Sequence, residues 1–242
     1  MVGILMNLSG RTFDFIKGEV LLFDKPYGWT SFDLVGKVRN FLCRELKIKK
    51  LKVGHAGTLD PLATGLMILC TGASTRQVDT FQAQEKEYTA TLKLGAITPS
   101  YDRETEESQW FPVEHIDEQL FFTVLNGFLG EQEQIPPVFS AVKINGKRAY
   151  EHARAGKEPD IKAKKVVISS LQLISFRLPE VEISITCSKG TYIRALARDI
   201  GTKLGSGAYL TGLRRTRSGN FCVKEAMSFD EFGQLFPSEE NT

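Results

Sequence analysis

The chain has 242 residues, of which 42% are hydrophobic and 25% are charged, and its formal net charge is +2. This is the composition of an ordinary globular protein. No apolar run approaches the roughly 20 residues needed to cross a bilayer. The short apolar start is soon followed by Arg11 and Lys17, which is unlike a signal peptide. We therefore expect a cytoplasmic protein.

The cysteines and histidines are too scattered to predict a metal site. There is no C-x-x-C pair, no histidine pair at ligand spacing, and the expected compartment disfavours disulfides. Charge is segregated along the chain, which suits a protein with one face toward a polyanion, although unrelated solvated faces would give the same pattern. The basic segments are 47–52, 143–157, 162–165 and 214–217, and the acidic ones are 102–107, 114–118 and the tail from 225.

Periodicity predicts the elements of the first half of the chain. Residues 19–23 are typical of a buried strand, and Ser31 is the predicted N-cap of a helix with apolar residues at helical spacing. A central strand is predicted at 65–71, and alternation at 87–94 predicts a half-buried strand. Residues 117–128 are predicted to be helical. The apolar positions of the first helix are Phe32, Val35, Val38, Phe41, Leu42 and Leu46.

The second half begins with a stretch of different character at 135–161, for which we predict a strand, a turn and a short helix projecting from the main body. The remaining elements are predicted strands at 166–176, 181–187 and 209–216 and predicted helices at 191–204 and 229–235. The helix at 191–204 carries Ile193, Leu196, Ala197, Ile200 and Leu204 on one face.

Many strands with scattered helices and no βαβ rhythm indicate an α+β fold around a largely antiparallel, mixed central sheet flanked by helices. The chain shows no internal repeat and no low-complexity linker. We therefore expect one domain over residues 1–242.

One carboxylate, Asp60, lies in a loop rich in glycine and threonine that reads G-H-A-G-T-L-D-P-L-A-T-G over 54–65. The glycines can adopt backbone angles that are closed to other residues. Pro61 fixes its own φ and pushes Asp60 out of the helical region, so the side chain is aimed by a stiff turn. An ordinary Asx turn, in which the carboxylate bonds its own backbone, is the alternative.

Two further features can be combined with this acid. Arg194 lies where a strand ends in a glycine turn and a helix begins, and its guanidinium could pair with a carboxylate at two points. A solvated surface arginine is the alternative. Tyr88 on its strand is either a core residue with a satisfied hydroxyl or an aromatic face for a splayed-out base.

Four segments resemble the TruB type of tRNA pseudouridine synthase, in that family's order. The blocks G-T-L-D-P-L-A-T-G and S-K-G-T-Y-I-R are each highly specific. The resemblance implies the pseudouridine synthase fold and an enzyme that isomerises uridine 55 in the T loop of tRNA without a cofactor. The matching segments are 22–26 with 28–31, 54–65, 140–143 with 146–150, and 187–194 with 213–216.

The resemblance also implies roles for particular residues. Asp60 is the catalytic carboxylate, and Arg194 holds it in an ion pair that keeps it charged. Tyr88 is the third catalytic residue, which stacks on the flipped uracil and could move the proton from C5. His55 helps to extrude the base or takes its place among the loop nucleotides.

Other candidate residues, also from the resemblance, are assigned to substrate and RNA binding. Lys25 and Pro26 support the catalytic loop, and Tyr192 and Leu213 line the base pocket. A basic, thumb-like insertion over about 132–165 would clamp the T arm of tRNA through its phosphates. Its candidate contacts are Lys143, Lys147 and Arg148.

The chain departs from the family pattern in two places. The family often has an Asp after the residue that corresponds to Thr98, whereas Pro99 follows here, and Asp102 is the candidate substitute. The roughly twenty residues after Gly219 are too few for the small RNA-binding barrel of many relatives. We expect the T arm to supply more of the affinity.

Several alternatives stay open from the sequence. Asp60 could form a covalent adduct with the sugar or base, or act as a base at C2′ to give a glycal. The chain could also be chiefly an RNA-folding or RNA-binding protein. A catalytic subunit of a guide-RNA pseudouridylation particle is disfavoured because that subunit needs a C-terminal RNA-binding domain. We expect a monomer that acts on tRNA with no obligatory protein partner.

Overall fold

The elements below are those of the computed structural model, which describes residues 5–6, 12–140, 143–144, 147–149 and 161–236. The helices are α1 (Ser31–Glu45), α2 (Val78–Ala83), α3 (Glu118–Asn126), α4 (Ile193–Lys203) and α5 (Phe229–Gly233). The strands are β1 (Leu5–Met6), β2 (Thr12–Phe13), β3 (Val20–Lys25), β4 (Val53–His55), β5 (Thr64–Thr71), β6 (Lys86–Leu94), β7 (Ala96–Ile97), β8 (Gln109–Trp110), β9 (Gly130–Gln134), β10 (Lys143–Ile144), β11 (Lys147–Arg148), β12 (Lys164–Arg177), β13 (Glu180–Cys187), β14 (Ala208–Ser218) and β15 (Phe221–Cys222).

The chain packs as two units. Unit 1 comprises Met1–Gln84 and Arg214–Thr242, and unit 2 comprises Glu85–Leu213. Strand β14 begins in unit 2 and ends in unit 1. Because the chain returns to unit 1 after leaving unit 2, its N- and C-terminal sequences contribute to the same structure.

The sheet of unit 1 is built around β5, whose run of apolar residues is buried along nearly its whole length. Strands β3 and β4 pair with β5 in antiparallel fashion, and the second half of β14 pairs with it in parallel, with Arg214 opposite Thr64 and Arg215 opposite Gly65. Strand β15 pairs antiparallel with β14. The central strand predicted at 65–71 is confirmed. The strand predicted at 19–23 is present as β3, but its buried side chains alternate with half-buried ones.

Helix α1 begins with a capping box formed by Thr30, not by Ser31. The Thr30 hydroxyl accepts a hydrogen bond from the Asp33 amide, and the Asp33 carboxylate accepts one from the Thr30 amide. The predicted cap at Ser31 is therefore wrong by one residue. The predicted apolar face is also wrong at Phe32, which is exposed, whereas Val35, Val38 and Leu42 are buried.

An aromatic cluster supplies part of the core of unit 1. Phe232 of α5 packs edge-to-face on Phe23 of β3 at 5.2 Å between ring centroids, and Phe236 packs on Phe41 of α1 at 4.9 Å. The residues that follow β15 are thus part of this unit, and the helix predicted at 229–235 is confirmed. The cluster comprises Phe13, Phe15, Phe23, Phe41, Phe232 and Phe236.

The sheet of unit 2 is antiparallel in the order β6-β13-β12-β9. In β6 the buried side chains alternate with half-buried ones, as predicted, and Tyr88 lies opposite Ile185 of β13. Helix α4 packs on β6, and α3 packs on β12. With antiparallel and mixed sheets flanked by helices, the predicted α+β class is confirmed.

The predicted helices of unit 2 are present with shorter bounds. The helix predicted at 117–128 runs over Glu118–Asn126 with Asp117 as its N-cap, and the helix predicted at 191–204 begins at Ile193. All five apolar residues predicted for one face of α4 are buried. Over the described ranges, every helix is too short or too polar to serve as a membrane span.

The predicted insertion is described only in part. Strands β10 and β11 form an antiparallel pair in which Lys143 lies opposite Arg148. The side chains of Lys143, Lys147 and Arg148, and the short helix predicted near Tyr150, lie outside the described residues.

Candidate active site

The loop that carries Asp60 is held by backbone hydrogen bonds on both sides of the acid. The Ser31 hydroxyl accepts a hydrogen bond from the Leu59 amide at 2.8 Å and donates one to the Leu59 carbonyl at 2.9 Å. The Gly28 amide donates to the Pro61 carbonyl at 2.9 Å. Because the two residues that flank Asp60 are both fixed, the backbone that carries this half-buried residue has little freedom of position.

Lys25 also holds this loop, through hydrogen bonds to backbone carbonyls. Its ammonium is buried and donates to the carbonyls of Trp29 at 2.7 Å, Pro26 at 3.0 Å and Pro61 at 3.3 Å. Burial lowers the pKa of Lys25 from 10.5 to about 8, although the negative charge of Asp60 opposes this shift. Pro26 itself is exposed. The lysine thus ties the β3–α1 connection to the Asp60 loop.

Arg215 on β14 holds the other end of the loop. Its side chain is buried, and it donates from Nε to the Leu66 carbonyl at 2.7 Å and from Nη2 to the Gly57 carbonyl at 3.2 Å. Gly65 has φ +101° and lies so close to β14 that a Cβ would collide with the backbone of Arg215. The positive φ predicted from the loop's glycines is confirmed at Gly57 and Gly65, but not at Gly54.

His55 lies at the end of β4, within unit 1. Its ring meets Phe32 edge-to-face at 5.6 Å between centroids. Burial and the positive charge of Arg215 lower the pKa of His55, and a hydrogen bond to the backbone of Gly57 opposes this. Both lowering effects favour the neutral form of the His55 ring.

In unit 2 the first turn of α4 carries Arg194, which is 4% exposed. Its Nη1 donates to the Ser100 carbonyl at 3.0 Å and its Nη2 to the Phe139 carbonyl at 2.8 Å. Its Nε lies 3.5 Å from Oδ2 of Asp102, a carboxylate that is 6% exposed. Arg194 is therefore a buried cation rather than a surface arginine.

Asp102, the ion-pair partner of Arg194, lies at the end of a loop that is folded so that the Asp102 side chain points inward. The Asp102 carbonyl accepts hydrogen bonds from the Thr98 hydroxyl at 2.7 Å and the Ser100 hydroxyl at 3.2 Å. Tyr101 has φ +58°, a strained value for a residue with a side chain. The Glu104 amide donates to Asp102 Oδ1 at 2.9 Å, which fixes the carboxylate's orientation.

The remaining candidates in unit 2 are aromatic or apolar. Tyr88 is buried on β6. Tyr192 precedes α4, and its backbone forms two hydrogen bonds with the side-chain amide of Gln134, at 2.8 and 3.1 Å. The Lys164 ammonium lies 4.2 Å from the centroid of the Tyr192 ring. Leu213 is half-buried on β14.

The structure thus groups the predicted residues by unit. Asp60, Lys25, Pro26 and His55 belong to unit 1, and the remaining described candidates belong to unit 2. The pairing of Asp60 with Arg194 stays a prediction.

Sequence reasoning missed two residues that shape the site. Arg215 was quoted only as part of a family segment, and because arginines are rarely buried, its residue type gave no sign that the side chain lies in the interior. Ser31 was interpreted as a helix cap, yet its hydroxyl bonds the backbone at Leu59. No local pattern identifies that long-range contact.

Family models match the chain in two adjacent parts. Residues 44–193 match the "TruB family pseudouridylate synthase (N terminal domain)", and residues 194–241 match the "tRNA pseudouridylate synthase B C-terminal domain".

Curated relatives of this chain match it over nearly their whole length. A protein of Parabacteroides distasonis named tRNA pseudouridine synthase B is 60% identical over 218 residues, which is 90% of this chain and 93% of that protein. Proteins of the same name from Phocaeicola vulgatus and Flavobacterium johnsoniae are 54% and 50% identical, and 97% and 96% of their lengths are covered. These alignments include 94% and 90% of this chain.

Among solved structures, a chain in the "Crystal Structure of a Cbf5-Nop10-Gar1 Complex" has a TM-score of 0.70 and 27% identity. It is similar to 96% of this chain, which spans 58% of its length. A chain in an H/ACA RNP bound to a substrate RNA has a TM-score of 0.68 and 24% identity, with coverage of 96% and 57%, and shows the shared fold.

Proposed function

This chain belongs to the TruB family of pseudouridylate synthases, and from that premise we propose that it isomerises uridine 55 in the T loop of tRNA to pseudouridine. The bond between C1′ of the ribose and N1 of the uracil breaks, and a bond from C1′ to C5 forms. C5 then loses a proton and N1 carries one, so the reaction needs no other reactant.

The observation that carries the proposal is the way in which the Asp60 loop is held. A glycosidic bond that is broken and remade needs a carboxylate that is placed beside C1′ with little freedom of movement. Lys25, Ser31 and Arg215 fix the backbone around Asp60 from three directions. We assign Asp60 either to covalent attack or to proton removal at C2′, the two routes that the residues leave open.

The other residues receive roles around this acid. Arg194 is proposed to pair with Asp60 and keep it charged, and Asp102 is proposed to take the place of the family aspartate that Pro99 replaces. Tyr88 would stack on the extruded uracil, while Tyr192 and Leu213 line its pocket. His55 would fill the space that the extruded base leaves, since extrusion loses stacking energy in the RNA.

Substrate binding is proposed to rest mainly on the T arm. The basic insertion that includes Lys143, Lys147 and Arg148 would contact phosphates, which give affinity and register but little sequence information. We propose that the enzyme is a monomer that works on tRNA in the cytoplasm without a guide RNA or a protein partner. Sedimentation of the free protein and of its RNA complex tests the oligomeric state.

The test of the function is to incubate the purified chain with a T-arm hairpin and map pseudouridine at each nucleotide. We expect a single modified position, the one that corresponds to uridine 55. Asp60→Asn should abolish turnover and leave the dissociation constant for the hairpin near that of the wild type, because the amide keeps the shape of the carboxylate but not its charge.

Asp79→Asn is the matched control, because Asp79 is an exposed aspartate in the first turn of α2 within the same unit. It should retain wild-type turnover. Substantial isomerisation by a homogeneous Asp60→Asn protein would refute the catalytic assignment, and no pseudouridine from the wild type on tRNA or the hairpin would refute the function.

A further inference from the structure

A groove runs along the outer side of α1 near its N-terminus and has no part in the roles assigned above. It has a volume of about 470 Å³ and combines aromatic rings with polar groups. Phe32 is 64% exposed, which is unusual for so large an apolar side chain. The lining residues are Trp29, Phe32, Asp33, Gly36, Lys37 and Asn40.

Gly36 keeps the groove open. It lies inside α1, where glycine destabilises a helix relative to alanine. A Cβ at this position would meet no atom within 4 Å, so packing of the protein does not require a glycine there. A side chain would instead project into the groove, which is a reason for a glycine if a ligand lies there.

Hydrogen bonds connect one residue of the groove to the Asp60 loop. The carbonyl of Trp29 accepts the shortest hydrogen bond from Lys25, the same ammonium that bonds the Pro61 carbonyl beside Asp60. Phe32 and His55 meet in a T-shaped ring contact, and Phe32 remains 64% exposed to solvent. A ligand in the groove therefore lies beside Phe32 and close to His55, the residue proposed to fill the space that the extruded base leaves.

We propose that this groove binds the base of a second unpaired nucleotide of the substrate RNA, next to the uridine that reacts. This inference rests on the proposed function and adds a binding subsite to it. Phe32 offers a ring for stacking, which holds any base by its π-face. Asp33 and Asn40 offer polar contacts to the base edge.

Charge favours a nucleotide over an apolar partner in this groove. The Lys37 ammonium lies 4.5 Å from the ring centroid of Trp29 and 4.9 Å from that of Phe229, so the aromatic rings hold a cation at the rim. A phosphate beside a stacked base would meet this cation. A protein segment would need a larger and more continuous apolar surface.

The test measures affinity for a fluorescent T-arm hairpin by anisotropy, apart from turnover. Gly36→Leu should fill the groove and Phe32→Ala should remove the stacking ring, each weakening binding about tenfold. Gly36→Ala adds one methyl group and should stay within about twofold of the wild type. Phe122→Ala removes a phenylalanine that is 50% exposed on α3 and should leave affinity unchanged.

Gly36→Leu separates the groove from His55, because a new side chain at Gly36 acts on the groove without removing the ring that His55 touches. Hairpins carrying 2-aminopurine at single loop positions should show quenching at one position that Phe32→Ala abolishes and Phe122→Ala keeps. Wild-type affinity and quenching in both groove variants would overturn the proposal. A change in the self-association of the free groove variants, relative to the wild type, would also overturn it and would assign the groove to a second copy of the chain.

The outcome is distinguishable from that of the proposed function. If the wild type makes no pseudouridine but Gly36→Leu still weakens hairpin binding, the proposed reaction fails and the base-binding groove stands. If pseudouridine forms normally at wild-type affinity in both groove variants, only the groove is refuted.

Discussion

The two units hold their key charged groups in opposite ways. In unit 1, buried cations hold a loop that carries an acid, since Lys25 and Arg215 donate to loop carbonyls around Asp60. In unit 2, a loop that carries an acid holds a buried cation, since Asp102 and two carbonyls surround Arg194. In both cases the backbone satisfies most of the hydrogen bonds.

This difference predicts what each unit loses first when one of its charged groups is removed. Removal of a cation in unit 1 leaves buried carbonyls without donors, so the first consequence is lost stability. Removal of the acid in unit 2 leaves the arginine's carbonyl bonds in place, so the first consequence is lost orientation.

The largest effect is expected from Arg215→Leu. The carbonyls of Leu66 and Gly57 would lose their donor in a buried site, which should lower the free energy of unfolding by about 3 kcal/mol. Urea unfolding followed by circular dichroism measures this change. The neighbouring Arg214→Leu is the matched control, because Arg214 is paired with Asp24 at a half-exposed position and its loss should cost about 1 kcal/mol or less. Equal losses of unfolding free energy in the two variants would contradict the role of Arg215 in holding the Asp60 loop.

Arg194→Lys should lower the single-turnover rate about a hundredfold. Lysine keeps the charge but cannot reproduce the fork that reaches Ser100, Phe139 and Asp102 together, and a small misplacement of a catalytic group can cost about that factor. Rapid-quench measurement at saturating enzyme tests this. Arg177→Lys is the control, because Arg177 is an exposed arginine at the end of β12 in the same unit, and it should react at nearly the wild-type rate. A normal rate for Arg194→Lys would argue against the ion pair with Asp60.

Asp102→Asn should lower the same rate about tenfold, because a charge-assisted contact to Arg194 becomes a neutral one. A positioning role predicts that the rate falls while the dissociation constant for the hairpin stays constant. Asp199→Asn is the control, since Asp199 bonds Arg198 on the same helix outside this cluster. A fall in hairpin affinity with an unchanged rate would assign Asp102 to RNA binding.

Much of the fold could be predicted because it depends on local patterns. Alternation along β6, the apolar run of β5 and the helical spacing in α4 each identify an element from neighbouring residues alone. Helix α1 was misjudged at its start because serine ranks above threonine as a cap by type. The acid three residues after Thr30, Asp33, is the local signal that identifies the capping box, and it was overlooked.

The candidate site could be predicted only as far as its motifs reach. The G-T-L-D-P-L-A-T-G block identifies Asp60, but the groups that fix its loop come from β3, α1 and β14, which are distant in sequence. Asp102 was suggested by the family pattern, and its contact with Arg194 follows from a loop whose Tyr101 adopts an unusual φ. Such backbone conformations depend on packing that periodicity does not encode.

The smallest expected effect is a change of stability with pH, which tests how Lys25 holds the Asp60 loop in unit 1. Its pKa is lowered to about 8, so between pH 8 and 10.5 the folded protein has released a proton that the unfolded chain still holds. The unfolded state binds more protons in that window, and stability therefore rises with pH. The free energy of unfolding of the wild type, relative to that of Lys25→Met, should rise by on the order of 1 kcal/mol between pH 7 and pH 9.

The comparison with Lys25→Met cancels the titration of other groups, because both proteins share them. A difference that stays flat or falls over this range would mean that the three carbonyl bonds of the ammonium outweigh its burial. The charge would then stabilise the Asp60 loop in the way that a carboxylate contact stabilises Arg194 in unit 2. Both units would then depend on the charge of a buried cation. The contrast between them would be only that the cation holds the acid-bearing loop in unit 1 and is held by such a loop in unit 2.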